Sequence, residues 1–280
     1  HDHDRGHVGR IPLSANRIDS AFVKLRADGK RAFIPYIAAG DPSLDITEEL
    51  VLAFDEAGCD VVELGIPFSD PIADGPSVQR ATERALAAGV TVERILRTVE
   101  RVRRSSDIPL SFMTYYNPIF HYGVDEFCVA AKQAGMDGLI VPDLAVEEAD
   151  ELIPSARAQD IATTFLVAPT STEERMDRIA DMSRGFIYAV SLLGVTGARN
   201  TVSPDLPGLM ERVRARTDKP VCVGFGISNP EQARAVAEIS DGSIVGSAIV
   251  NTIEAHVGQA TLVSATQAFV GTLVDAVKSV

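Results

Sequence analysis

Residues 60–76 read DVVELGIPFSDPIADGP, a short apolar run that leads directly into a long polar loop. In an extended strand, successive side chains point to opposite faces, so Val62, Leu64 and Ile66 share one face and Glu63 points to the other. Long loops of this kind, outside regular structure, are often functional. The stretch therefore predicts a strand that carries one inward carboxyl group and delivers a functional loop.

The same alternation of apolar run and amphipathic segment continues along the chain and predicts a parallel sheet with crossover helices. Eight such units favour a closed barrel, because closure removes the edge strands. We therefore expect a single (β/α)8 TIM barrel over residues 17–280 with extra N-terminal and C-terminal helices, after a flexible N-terminal extension over 1–16. The predicted strands are 31–38, 60–66, 109–114, 137–142, 162–168, 185–191, 219–224 and 241–246. The predicted helices are 17–28, 45–57, 91–104, 124–134, 146–158, 172–183, 205–216, 229–239 and 260–278.

Composition narrows the class of protein. The chain has 280 residues, of which 46% are hydrophobic, and this suits one barrel of about 250 residues with additions. A net charge of −13 without a basic cluster disfavours nucleic acid. No apolar run approaches the ~18 residues of a membrane span. Cys59, Cys128 and Cys222 are isolated and lack metal-ligand spacing, so we expect reduced thiols in a cytoplasmic protein and no metal.

Four polar side chains are candidates for chemistry. Glu63 would be buried near a strand end, where desolvation raises the pKa of a carboxyl group toward that of a general acid. The alternative for Glu63 is a structural ion pair inside the barrel. Asp70 and Asp74 lie in the following loop, where solvated surface aspartates are the alternative. Tyr188 shares a face with Phe186, but periodicity does not say which face, and a core tyrosine remains possible.

Glycine-rich turns after the sixth, seventh and eighth predicted strands indicate an anion site. They are Gly194–Gly197, Gly224–Ser228 and Gly246–Ala248. Barrels often bind phosphate after their last two strands, where backbone amides and the start of a short helix supply donors. The chain lacks a GxxxxGK[ST] motif, and no GxGxxG motif opens a helix after the first strand, which disfavours nucleotide binding.

Residues 17–278 resemble the tryptophan synthase alpha family. The most specific match is ELGIPFSDPIADGP at 63–76, which follows the family pattern LELG-[IV]-P-[FY]-SDP-x-ADGP. Further family motifs follow in order: AGDP at 39–42, MTYYNP at 113–118, VPDL at 141–144, YAVS at 188–191, GVTGAR at 194–199, VGFGIS at 223–228 and VGSAIV at 245–250.

The resemblance implies a carbon–carbon lyase that cleaves indole-3-glycerol phosphate into indole and D-glyceraldehyde 3-phosphate. Glu63 would transfer protons, Asp74 would accept a hydrogen bond from the indole N–H, and Tyr188 would lie near Glu63. The indole pocket would include Tyr36, Met113, Tyr115, Thr196, Phe225 and Ile227. The phosphate would be held by Gly197, Gly226, Gly246 and Ser247.

The resemblance also implies a partner. Indole would pass to a beta subunit in an alpha2beta2 heterotetramer, and loops 67–78 and 192–204 would close over substrate and carry an allosteric signal. Pro67, Asp70 and Ala145 would lie at the partner interface, and many relatives carry proline where this chain has Ala145. Pyridoxal phosphate is expected only in the beta subunit, with no cofactor in this chain.

Three alternatives remain open from the sequence. One is a stand-alone lyase that releases indole without an obligate partner. Another is a phosphosugar isomerase on the same barrel, although the run 162–168 lacks the carboxylate that such enzymes use. The third is a non-catalytic regulatory partner of a beta subunit, against which the presence of Glu63, Asp74 and Tyr188 counts.

Overall fold

The computed structural model describes residues 16–70, 74–191, 202–224 and 226–280. Within these ranges nine parallel strands form one sheet in the order β5-β4-β3-β2-β1-β9-β8-β7-β6. The strands are β1 (Ala32–Ala38), β2 (Val62–Gly65), β3 (Leu110–Met113), β4 (Gly138–Ile140), β5 (Ala162–Thr164), β6 (Leu166–Val167), β7 (Ile187–Val190), β8 (Val221–Gly224) and β9 (Gly242–Val245).

The two ends of this order belong to one chain segment, so the sheet closes on itself. Strands β5 and β6 are separated by Phe165 alone; β5 pairs with β4 and β6 pairs with β7. The backbone N–H of Tyr188 donates to the Phe165 carbonyl across the break. The predicted strand 162–168 is therefore interrupted, and the expected (β/α)8 barrel is confirmed.

Twelve α-helices occur in the described ranges. They are α1 (Arg17–Ala27), α2 (Leu44–Glu56), α3 (Pro76–Ala87), α4 (Val92–Arg103), α5 (Tyr116–Tyr122), α6 (Val124–Ala134), α7 (Leu152–Ala158), α8 (Glu173–Met182), α9 (Leu206–Arg214), α10 (Pro230–Ile239), α11 (Ser247–Ala255) and α12 (Leu262–Lys278). No helix in this described part of the chain is both long and apolar enough to cross a bilayer.

The prediction of one helix over 146–158 is wrong. The structure has a 3-10 turn at Val146–Glu148 and then the separate helix α7. Pro154 explains the break, because proline supplies no N–H and its ring clashes with the carbonyl four residues earlier. Helices α3, α5 and α11 were not predicted as helices; α3 lies inside the stretch 67–90 that the sequence presented as a connection.

Helix α1 fills the amino-terminal end of the barrel. Ile18 and Phe22 pack among inward strand residues, and the rings of Phe22 and Phe186 lie 5.7 Å apart. Asn16 caps the helix by accepting from the N–H groups of Ile18 and Asp19. Its own amide donates to the Asp137 carbonyl at 2.8 Å, which fixes the helix to the strand ends.

The main core lies between the barrel wall and the outer helices. Val62, Leu64 and Ile66 belong to this core, as the alternation in β2 predicts, and they share it with Leu50 of α2 and Val99 of α4. Glu63 therefore points into the barrel. The three cysteines are free thiols, as predicted, and all are buried.

Candidate active site

A cavity of about 770 Å³ lies inside the barrel toward the carboxyl ends of the strands. Parallel barrels bring the ends of all their strands to one mouth, so residues far apart in sequence meet there. Nine of the predicted site residues line this cavity: Tyr36, Glu63, Asp74, Met113, Tyr188, Gly226, Ile227, Gly246 and Ser247.

Glu63 is the buried acid of the cavity. Its side chain is 0% exposed, and neither carboxyl oxygen has a hydrogen-bond partner among the residues that the structure describes. Burial raises the pKa of Glu63 to about 8, because the charged form is poorly solvated there. At neutral pH the group is therefore mainly protonated and ready to donate a proton.

Two tyrosines flank Glu63 inside the barrel. Tyr36 is the register partner of Glu63 on β1, and Tyr188 packs with the interior cluster that contains Phe186. The face of Tyr188, which periodicity left open, is thus the inner one. Burial, followed by nearby acidic groups including Glu63, raises the pKa of both phenols above their ordinary value. Both hydroxyls consequently stay protonated.

Asp74 stands at the mouth of the cavity, two residues before α3 begins at Pro76. Burial raises the pKa of this half-buried carboxyl group, and a hydrogen bond with the Tyr115 side chain opposes the rise. The side-chain amide of Gln79 donates to the Asp74 carbonyl at 2.6 Å. These contacts tie Asp74 to the first turn of α3.

Tyr115 does not line the main cavity. It borders a small adjoining pocket of about 20 Å³ together with Asp74 and Tyr36. Its ring lies 5.9 Å from that of Phe68 in the preceding loop. The structure thus places Tyr115 behind Asp74, as a support for that carboxyl group.

The part of the cavity wall that follows β8 and β9 is suited to an anion. Gly226, at φ 77°, and the turn Gly246–Ser247 line it, and Ser247 opens helix α11. The first N–H groups of a helix lack intrahelical acceptors and carry partial positive charge. The described residues of the lining include no Lys, Arg or His, so amides and hydroxyls are the available donors.

Sequence reasoning missed several lining residues: Val78, Ser228, Asn251 and Thr252. Ser228 lies inside the glycine-rich turn that the sequence singled out. Asn251 is four residues after Ser247, a spacing that places both on one helix face. That signal depends on recognising α11 as a helix.

The remaining predicted site residues lie elsewhere. Thr196, Gly197 and Phe225 are outside the described residues, as is most of the predicted 1–16 extension. Pro67, Asp70 and Ala145 lie in loops at the carboxyl-terminal side of the barrel and do not line the cavity. Across the described ranges, no group of three His, Cys, Asp or Glu side chains is arranged to hold a metal.

Fold and site together define a (β/α)8-barrel enzyme whose cavity holds a protonated buried carboxyl group and glycine turns suited to an anion. The family model described as tryptophan synthase alpha chain matches residues 22–278. The alpha chain of Geotalea daltonii is 48% identical over 258 residues, covering 90% of this chain and 98% of that relative. The chain belongs to the tryptophan synthase alpha chain family.

Solved structures that resemble this chain belong to the same family. Tryptophan synthase subunit alpha from Legionella pneumophila has a TM-score of 0.88 and 39% identity, covering 95% of this chain and 99% of that one. A chain from the tryptophan synthase a2b2 complex of the hyperthermophile Pyrococcus furiosus, a structure concerned with mutual activation, has a TM-score of 0.82 and 40% identity, covering 88% and 99%. The resemblance seen in the sequence is confirmed, and the chain is a lyase of tryptophan synthesis.

Proposed function

We propose that the chain cleaves indole-3-glycerol phosphate into indole and D-glyceraldehyde 3-phosphate by a retro-aldol reaction. The observation that carries the proposal is Glu63, a buried carboxyl group with a pKa of about 8 and no partner among the described residues, in a cavity whose glycine turns suit phosphate. In this orientation the indole ring lies at the buried end of the cavity beside Glu63, and the three-carbon phosphate tail extends toward the glycine turns.

Glu63 acts first as an acid and then as a base. It protonates carbon C3 of the indole ring, which gives an indolenine able to accept the electrons of the breaking carbon–carbon bond. The resulting carboxylate takes the proton of the side-chain hydroxyl as that carbon becomes the aldehyde. The proton count balances, and indole leaves neutral. General acid–base help of this kind contributes about 10²–10⁴-fold.

Asp74 stabilises the ring while positive charge develops. As a carboxylate it accepts a hydrogen bond from the indole N–H, and the attraction grows when C3 is protonated. Preorganised charge directed at a developing opposite charge is often the main source of rate enhancement in an enzyme. The hydrogen bond with Tyr115 holds this carboxyl group, and the contact from Gln79 holds the Asp74 backbone, before substrate arrives.

Backbone amides of Gly226 and Gly246 and the hydroxyl of Ser247 hold the phosphate. A chain with net charge −13 repels anions at long range, so a local cradle at a helix start has to supply the attraction. Fixing the phosphate places the distant C3 atom beside Glu63. We propose no cofactor and no metal for this chemistry in this chain.

The chain is further proposed to pass indole to a pyridoxal-phosphate beta subunit in an alpha2beta2 complex. The loops of Pro67, Asp70 and Ala145 both contact the segment that begins α5, because Phe68 contacts Tyr115 and the N–H of Tyr116 donates to Asp143 at 2.9 Å. Phe120 of α5 is 60% exposed beside them. Its ring lies 6.3 Å from that of Tyr116, and aromatic residues are enriched at protein interfaces.

Indole release from indole-3-glycerol phosphate, measured with and without the beta subunit, tests the proposal. We expect release by the isolated chain and faster release in the complex. Release that is unchanged by the partner would favour a stand-alone lyase, whereas no release in either condition would favour a regulatory partner.

A further inference from the structure

Arg84 joins three elements at the rim of the barrel. Arg84 lies on α3 and makes a bidentate ion pair with Asp41. The distance from Nε to Oδ1 is 2.7 Å, and the distance from Nη2 to Oδ2 is 3.0 Å. Its remaining terminal nitrogen, Nη1, donates to Glu254 on α11. Asp41 is 1% exposed in the loop after β1, so this pairing is largely shielded from water.

Each of the three elements carries part of the proposed site. Strand β1 supplies Tyr36, α3 starts just after Asp74, and α11 starts at Ser247. Below the ion pairs, these elements meet through small residues, since Ala38 of β1, Ala81 of α3 and Val250 of α11 pack in one cluster. Small side chains let these elements approach each other closely but do little to fix the distance between them. The charged network above them provides directional contacts.

We propose that Arg84 is a positioning residue that sets the separation between Asp74 and the Gly246–Ser247 turn. The inference rests on the proposed function, in which substrate bridges these two points. A displacement of about 1 Å at such a site costs about 100-fold in rate when the reacting groups lose alignment. Arg84 itself touches no substrate in this arrangement and acts through Asp41 and Glu254.

Lysine is a poor replacement at this position. The guanidinium group binds a carboxylate through two parallel N–H donors and still has a donor for Glu254, whereas an ammonium group is a point charge. Arg80 is a matched control, because it lies one turn earlier on α3 and also pairs with Glu254, at 2.9 Å. Replacing Arg80 removes its own contact with Glu254 and leaves the ion pair between Arg84 and Asp41 intact.

The test compares Arg84→Met, Arg84→Lys and Arg80→Met. We expect kcat/KM for indole-3-glycerol phosphate to fall about 10–100-fold in Arg84→Met, less in Arg84→Lys, and less than about 3-fold in Arg80→Met. Binding of indole alone and of glycerol 3-phosphate alone, measured by calorimetry, is expected to stay within about 3-fold, since each probe meets one end of the site. If Arg84→Met fails to fold, the double variant Asp41→Asn/Arg84→Met takes its place, because it also removes the buried Asp41 carboxylate that would lack a partner. The same fall in kcat/KM is expected for the double variant.

Two results overturn the inference. One is equal kinetics of the Arg84→Met and Arg80→Met proteins. The other is a parallel loss of both probes, which would mean general damage to the cavity and not a change of spacing. A wild-type chain that binds both probes but releases no indole would instead defeat the proposed function, and the inference with it.

Discussion

The phenol of Tyr36 lies over Gly65 on the neighbouring strand, in the space where any other residue would place its Cβ. The same relationship recurs across the barrel, where the Tyr188 phenol lies over Gly224. Each pair joins adjacent strands, β1 with β2 and β7 with β8. The glycines allow both rings to lean toward the mouth beside Glu63.

Replacing Gly65 with alanine should therefore displace Tyr36. A Cβ at this position would lie 2.8 Å from Cζ and 2.9 Å from Cε2 of the Tyr36 ring. These distances are shorter than a van der Waals contact, so the ring would have to move. We expect kcat/KM for indole-3-glycerol phosphate to fall about 10–100-fold. The control is Gly271→Ala, where the added carbon meets no atom within 4 Å beyond the adjacent residues and the backbone of its own helix. Equal activity of the two variants would show that the ring position is unimportant.

Glu63→Gln tests the acid. Glutamine keeps the size of the side chain but donates no ionisable proton, so kcat for indole release should fall at least about 100-fold. Circular dichroism should show an unchanged fold. Near-normal turnover in the folded variant would remove Glu63 from the mechanism.

The raised pKa of Glu63 also predicts how stability depends on pH. The folded group keeps its proton up to a pKa of about 8, whereas the unfolded group loses it near 4.5. The native state thus binds more protons between these values, so the free energy of unfolding falls as pH rises through this window, by up to about 1.4 kcal/mol per unit. Urea unfolding of wild type and Glu63→Gln at pH 5.5, 6.5 and 7.5 measures the difference. A constant difference between the two proteins would mean that Glu63 is not desolvated.

Asp74→Asn should separate catalysis from phosphate binding. The amide loses the negative charge that stabilises the protonated ring, and we expect kcat to fall about 100-fold. Affinity for glycerol 3-phosphate should change less than about 3-fold, since the phosphate is proposed to bind at the Gly226 and Gly246–Ser247 turns and not at Asp74. A large loss of this affinity would indicate that Asp74 shapes the whole site.

Phe120→Asp should weaken beta-subunit binding about 10–100-fold without altering indole release by the isolated chain. Buried aromatic residues often dominate interfaces, and a carboxylate in that place pays for desolvation. Val23→Asp is the control, because Val23 is 61% exposed but lies on α1 at the opposite end of the barrel. Equal affinity of both variants, measured by titration of the beta subunit, would exclude α5 from the interface.

The main features of the barrel were predictable because short apolar runs alternate with amphipathic segments along the chain, and because side chains alternate between the two faces of a strand. This is why the inward direction of Glu63 followed from Val62, Leu64 and Ile66 alone. Helix α3 was missed because its buried residues, Ala81, Thr82 and Ala85, are small and give no strong apolar stripe. The bridge of Arg84 to Asp41 and Glu254 spans 43 and 170 positions of sequence, and no local pattern records such pairings.

The proposed phosphate turns rely on main-chain donors, and this affects how such a site can diverge. Every residue except proline brings an amide, so exchanging side chains at Ile227 or Ala248 leaves the number of available donors unchanged. The path of the backbone matters more there, and Gly226, at φ 77°, is the point where that path is most sensitive to replacement. A phosphate site built from backbone amides therefore tolerates side-chain substitutions far better than a site built from arginine side chains.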